Sequence, residues 1–225
     1  MPLDPGAITS DIAADCVASS TRLVNLALSN IGVSDAVTDL GTEATRNAET
    51  ARLHYRTEID AVLRAHPWKF ATRYVALSRV TGSLAAPLNG DWTYSYRLPE
   101  DCLLVRRIVP PDGRQRTFDP VPVPFDVTED DWGGLLSANA EAIDIEYTAR
   151  IACPAAVRDP IFRRACTWRL AHAFALPLGR DKAQSEQAYK LYLLQIIEAQ
   201  TRDQNEQQAQ HPPHVGEAEW IRGRE

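Results

Sequence analysis

Cations are in short supply. The 225 residues carry 24 Lys and Arg against 30 Asp and Glu, a formal charge of −6. Proteins that grip nucleic acid without regard to sequence draw that affinity from phosphate neutralisation and are usually basic. An acidic chain can still stand beside DNA when its task is not to hold it. Cysteine is scarce as well. Cys16, Cys102, Cys153 and Cys166 are widely scattered, with no CxxC pair and no histidine at ligand-like spacing. That spacing argues against a zinc site or a disulfide framework and for free thiols folded in a reducing cytosol. No run approaches the roughly 20 apolar residues of a membrane span. Residues 1–20 hold three aspartates and no Lys or Arg, unlike a signal peptide. The expectation is a chain made in the cytoplasm, without a membrane partner.

Glycine is sparse too, and no Gly-rich phosphate loop, GxSxG elbow or HExxH occurs. Gly133-Gly134 has no helix pattern after it to complete a phosphate cradle. Acid–base chemistry needs paired carboxylates or a partnered histidine. The Glu129-Asp130-Asp131 cluster before Trp132 reads as a solvated loop. His66, at the end of a helix, reads as a cation favoured by the helix dipole. His172 reads as a satisfied core residue. His211 and His214 flank Pro212-Pro213 in a polar tail, which is poor support for a preorganised site. No catalytic, metal-binding or cofactor-binding residue is therefore expected.

Periodicity supplies the elements. Residues 21–31 read as a helix, with Ser20 as N-cap and Gly32 at C′. Residues 43–65 read as the longest helix. Its stripe of Ala44, Ala48, Ala51, Tyr55, Ile59 and Val62 steps by three and four. Pro67 ends it. Strands follow at 73–80, 92–98, 102–109 and around Ile143, Ile145 and Tyr147, the second alternating strictly with Trp92, Tyr94, Tyr96 and Leu98 on one face. Pro120, Pro122 and Pro124 make 118–125 an extended connection or edge rather than a central strand. A third helix starts at Asp159-Pro160 and breaks at Pro177 and Gly179. A fourth starts at Asp181, with Gln184 placed for a capping box, and runs to about residue 200. Residues 189–197 of that helix are apolar on most of the circumference. They are either central in a bundle or facing another subunit.

This order predicts an α+β chain: an antiparallel four-helix bundle, an inserted small antiparallel β domain and an extended C-terminal tail. The divisions are an arm at 1–20, the first half of the bundle at 21–70, the β-rich insertion at 71–154, the second half at 155–203 and the tail at 204–225. Tyr189, Tyr192, Leu193 and Ile196 are the expected subunit interface. In the tail, Trp220 and Ile221 read as an aromatic anchor for a partner's pocket, with Arg222 and Arg224 able to meet an acidic rim.

Three segments in order carry a resemblance: Val24-Asn25-Leu26-Ala27-Leu28-Ser29-Asn30-Ile31-Gly32-Val33; then Tyr55 through Asp60-Ala61-Val62-Leu63-Arg64-Ala65-His66-Pro67-Trp68-Lys69-Phe70-Ala71; then Trp92-Thr93-Tyr94-Ser95-Tyr96-Arg97-Leu98-Pro99-Glu100-Asp101-Cys102-Leu103. Over residues 20–110 the chain resembles the head-to-tail adaptors, or tail tubular A proteins, of tailed bacteriophages. The C-terminal half matches only in layout. The resemblance implies a structural protein and not an enzyme. It implies a ring of 12 copies at the head–tail junction of the virion, under the portal protein and above the next neck or tail protein. DNA would pass through its lumen without specific binding. The tail residues Trp220, Ile221, Arg222 and Arg224 would then reach the portal. The competing expectation is a phage hydrolase acting on cell wall or surface polysaccharide, which needs two carboxylates facing across a cleft.

Overall fold

Side-chain oxygens and left-handed glycines set the helix limits. In a computed structural model that describes residues 5–81, 91–109 and 123–208, α1 spans Pro5–Asn30 and α2 spans Arg46–Ala65. After the β strands come α3, Pro160–Ala175, and α4, Lys182–Gln208. Asp159 caps α3 by accepting from the Ile161 and Phe162 amides at 2.8 and 3.1 Å, with Pro160 in the first turn. The Asp181 carboxylate accepts from the Gln184 amide at 2.8 Å at the start of α4. Gly32 and Gly179 have φ of 71° and 76°. Behind each, the next amide reaches back five residues, Val33 to Leu28 and Arg180 to Ala175, closing the helix end.

Three helix boundaries differ from the sequence expectation, one of them the end of α4, which runs to Gln208 rather than to about residue 200. The stretch expected to be an arm is helical from Pro5, so Ser20 lies inside α1 rather than capping it. Its hydroxyl is buried and accepts from the Tyr55 hydroxyl at 3.0 Å. The alanines at 7, 13, 14 and 18 favour the helix. At α2 the cap is Thr45, not a residue near 43. Glu43 is instead drawn into the preceding loop by the hydroxyls of Thr38 and Thr45, each at 2.6 Å.

The four helices are not an antiparallel bundle. They are organised around α3, against which α1, α2 and α4 each pack. The reason lies in its composition. Ile161, Phe162, Cys166, Leu170 and Phe174 are buried together with Ala165, Ala171 and Ala175, covering most of the circumference. A helix apolar all round takes neighbours on several sides. The expected stripe of α2 does turn inward at Ala48, Ala51, Ile59 and Val62.

Between α2 and α3 lie six strands: β1 Thr72–Ala76, β2 Tyr94–Arg97, β3 Cys102–Val109, β4 Phe125–Asp130, β5 Gly133–Ala138 and β6 Asp144–Ala149. They form two antiparallel sheets of three, in the orders β1-β6-β3 and β2-β5-β4. A bridge between Arg79 and Tyr96 lets the chain beyond β1 reach the second sheet. Tyr96 and Leu136 of one sheet bury against Val105, Ile108 and Ile145 of the other, making a core separate from the helical one. The β4–β5 hairpin is absent from the sequence reading. Its acidic first strand and Gly-Gly start resemble a loop, and only pairing makes it a strand. Ser95, on the expected polar side of β2, is buried as well.

The joint between the cores is the His66–Ala71 segment. Trp68 is buried, and its indole N–H donates to the Val62 carbonyl at 3.0 Å. Its ring meets Phe162 edge-on at 5.2 Å and stacks on Phe70 at 5.8 Å. Phe70 stays partly exposed. Arg150 adds a second tie, donating to Asp60 on α2 at 2.9 Å. Cys16 and Cys153 form a disulfide, with Cα atoms 5.5 Å apart, between α1 and the loop before α3. This corrects the expectation of four free thiols. The cysteines are remote in sequence, and nothing in their spacing shows that the fold brings them together.

Candidate functional site

Three surfaces stand out among the described residues. The first is α4. Tyr192 and Ile196, expected at a subunit interface, are 5% and 8% exposed and belong to the chain's own helical core. Tyr189 and Leu193 are exposed, and beside them Leu194 and Ile197 are 55% and 56% exposed. The apolar circumference is thus divided: one line is spent on α3 and another faces outward. Arg169 of α3 lies over the rings of Tyr189 and Tyr192, 5.6 and 5.3 Å from their centroids, and pairs with Glu58 of α2. His172 is tied in by Ser185. Its Nδ1 lies 2.9 Å from the hydroxyl and 3.0 Å from the carbonyl of that residue.

The second surface surrounds the start of α3. A groove of about 420 Å³ is lined by His66, Trp68, Phe70, Arg158 and Arg202, among others. A neighbouring groove of about 350 Å³ lies between α1 and α3, lined by Arg22, Leu26, Ala155, Arg163 and Arg164. Pro160 borders both. Most other arginines are committed, as Arg107 is to Glu146 and Arg150 to Asp60. The side chains of Arg22, Arg158, Arg163 and Arg164 bond to no described residue. The lone carboxylate lining either groove, Asp159, is occupied by the α3 amides.

The third is the β4–β5 hairpin. Its two-residue turn, Asp131-Trp132, is followed by Gly133 at φ 118°. Trp132 is 74% exposed. Asp130, part of the cluster expected to be a solvated loop, is instead gripped by both terminal nitrogens of Arg97 at 2.6 and 2.9 Å. The hydrogen bond from Arg97 holds the Asp130 carboxyl below the usual carboxylate range. Glu129 and Asp131 remain exposed.

The chemistry available here is limited. Burial, followed by the nearby Asp101 charge, pushes the Cys102 thiol up to about 11, and complete burial raises that of Cys166. Neither is a thiolate nucleophile at neutral pH. No group of three or more His, Cys, Asp or Glu among the described residues is placed to hold a metal. Neither groove brings two carboxylates together. Trp220, Ile221, Arg222 and Arg224 lie outside the described residues. No protein-family model matches the chain, and no curated protein matches it.

Proposed function

We propose that this chain is a structural head-to-tail connector of a tailed phage, working by subunit and partner contacts rather than catalysis. The observation that carries the reading is the place of the His66-Pro67-Trp68 motif. Of the residues behind the resemblance to phage adaptors, the His66–Ala71 segment forms the joint between two cores and lines no carboxylate pair. The outward line of α4, Tyr189, Leu193, Leu194 and Ile197, supports it as well. An exposed apolar row of this size favours a protein partner. In this reading α4 contributes to packing in a ring of 12, and the tail around Trp220 and Arg222 reaches the portal. DNA passes through the lumen, where the net negative charge keeps phosphate from being held.

Mass spectrometry of purified particles of the encoding phage is expected to find the chain in amounts comparable to the portal protein. Its absence from particles would remove the reading. Deleting residues 209–225, which follow α4, is expected to abolish co-sedimentation with the portal while leaving the melting temperature of the remainder unchanged. Undiminished portal binding by that truncation would take the tail out of the contact.

A further inference from the structure

We infer that the β4–β5 hairpin tip of one copy seats in the arginine-walled groove between α1 and α3 of another copy. The two surfaces match in charge and in apolar content. The groove offers exposed Leu26 between Arg22, Arg163 and Arg164, with Arg158 on the adjoining rim. Four cations without a partner among the described residues, gathered on one face of a net acidic protein, await an anionic surface. The hairpin supplies one. Glu129 and Asp131 bond through their side chains to no described residue and closely precede the most exposed aromatic ring among the described residues, Trp132. The remaining acid of the cluster, Asp130, is held by Arg97, which fixes the turn and presents the indole on a rigid support.

Aromatic and arginine side chains dominate the energetics of protein contacts, and opposed charges set their register and partner choice. A groove of about 350 Å³ has room for an indole. The hairpin belongs to the β core and the groove to the helical core, so one contact joins two different patches of the chain. Each copy uses its hairpin on one neighbour and its groove on the other, a heterologous arrangement that closes into a ring or runs on as a filament. The contact rests on the connector reading only for closure into a ring.

Two double variants test it by sedimentation velocity. Arg163→Glu with Arg164→Glu reverses the groove, and Glu129→Arg with Asp131→Arg reverses the hairpin. Each alone is expected to weaken self-association at least about a hundredfold, because like charges then face each other. An equimolar mixture is expected to recover association, since reversed groove meets reversed hairpin and native meets native in alternation. A wild-type chain that stays monomeric at every concentration, a variant that associates like wild type, or a mixture of normally melting variants that fails to recover would each overturn the contact. Should a charge variant melt early, Leu26→Cys combined with Trp132→Cys takes its place. Oxidation is then expected to give disulfide ladders between chains, and a lack of ladders overturns the contact equally. A monomeric wild-type chain that still binds the portal would sink this contact alone and leave the connector reading standing.

Discussion

Trp68 is held on three sides at once: by its hydrogen bond to Val62, by the edge of Phe162 and by the face of Phe70. Truncating a buried aromatic loses the transfer term and leaves a cavity. Trp68→Ala is therefore expected to cost about 3–5 kcal/mol, read as a fall in the denaturation midpoint. A change of less than about 1 kcal/mol would mean that the joint repacks freely. Glu43 makes a second prediction. Hydrogen bonds from the Thr38 hydroxyl, the Thr45 hydroxyl and the Thr38 amide pull its carboxyl down to about 2. The folded value is depressed, so its contribution is complete above the unfolded value near about 4.3 and is lost as pH falls through about 2. An NMR titration is expected to place the Glu43 midpoint near that lower value, and Thr38→Val to move it up. The proline stop and the tryptophan of the joint were legible in the sequence. Phe162, their partner on α3, was not, because tertiary neighbours leave no local periodic trace.

At the scale of the element, helix ends were the most legible features. Asp159-Pro160, Asp181, Gly32 and Gly179 act within a few residues of themselves, so each can be read locally. The β4–β5 hairpin could not, since its strand character comes from pairing β4 and β2 on either side of β5. The disulfide was likewise hidden. It ties α1 to the loop before α3 across a sequence separation of 137. Closing so long a loop restricts the unfolded chain. Reduction is expected to lower stability by about 2–5 kcal/mol, measured by urea denaturation with and without reductant. A Cys16→Ser, Cys153→Ser variant should be insensitive to reductant. Equal midpoints for oxidised and reduced wild type would show that α1 is held by packing alone. For α4 the sequence correctly gave a wide apolar surface but not its division. Tyr192 and Ile196 turn to α3, and Leu194 and Ile197 turn outward.

The whole molecule is a helical core built around α3, joined to a six-stranded β core. The α+β composition followed from the switch in period along the chain. The arrangement did not: a count of four amphipathic helices suits a bundle, and only the burial of α3 on several sides reveals a central helix with three neighbours. Such a molecule offers an outward apolar row, an arginine groove and an acidic hairpin, all suited to contacts with other chains. In the connector account these contacts build a closed ring. Electron microscopy of the purified full-length chain, alone and mixed with the portal protein of the encoding phage, tests that most directly. The account predicts closed rings of 12 copies with an open lumen, free or seated on the portal. Particles that remain single chains in both samples, with no density added to the portal, would contradict it.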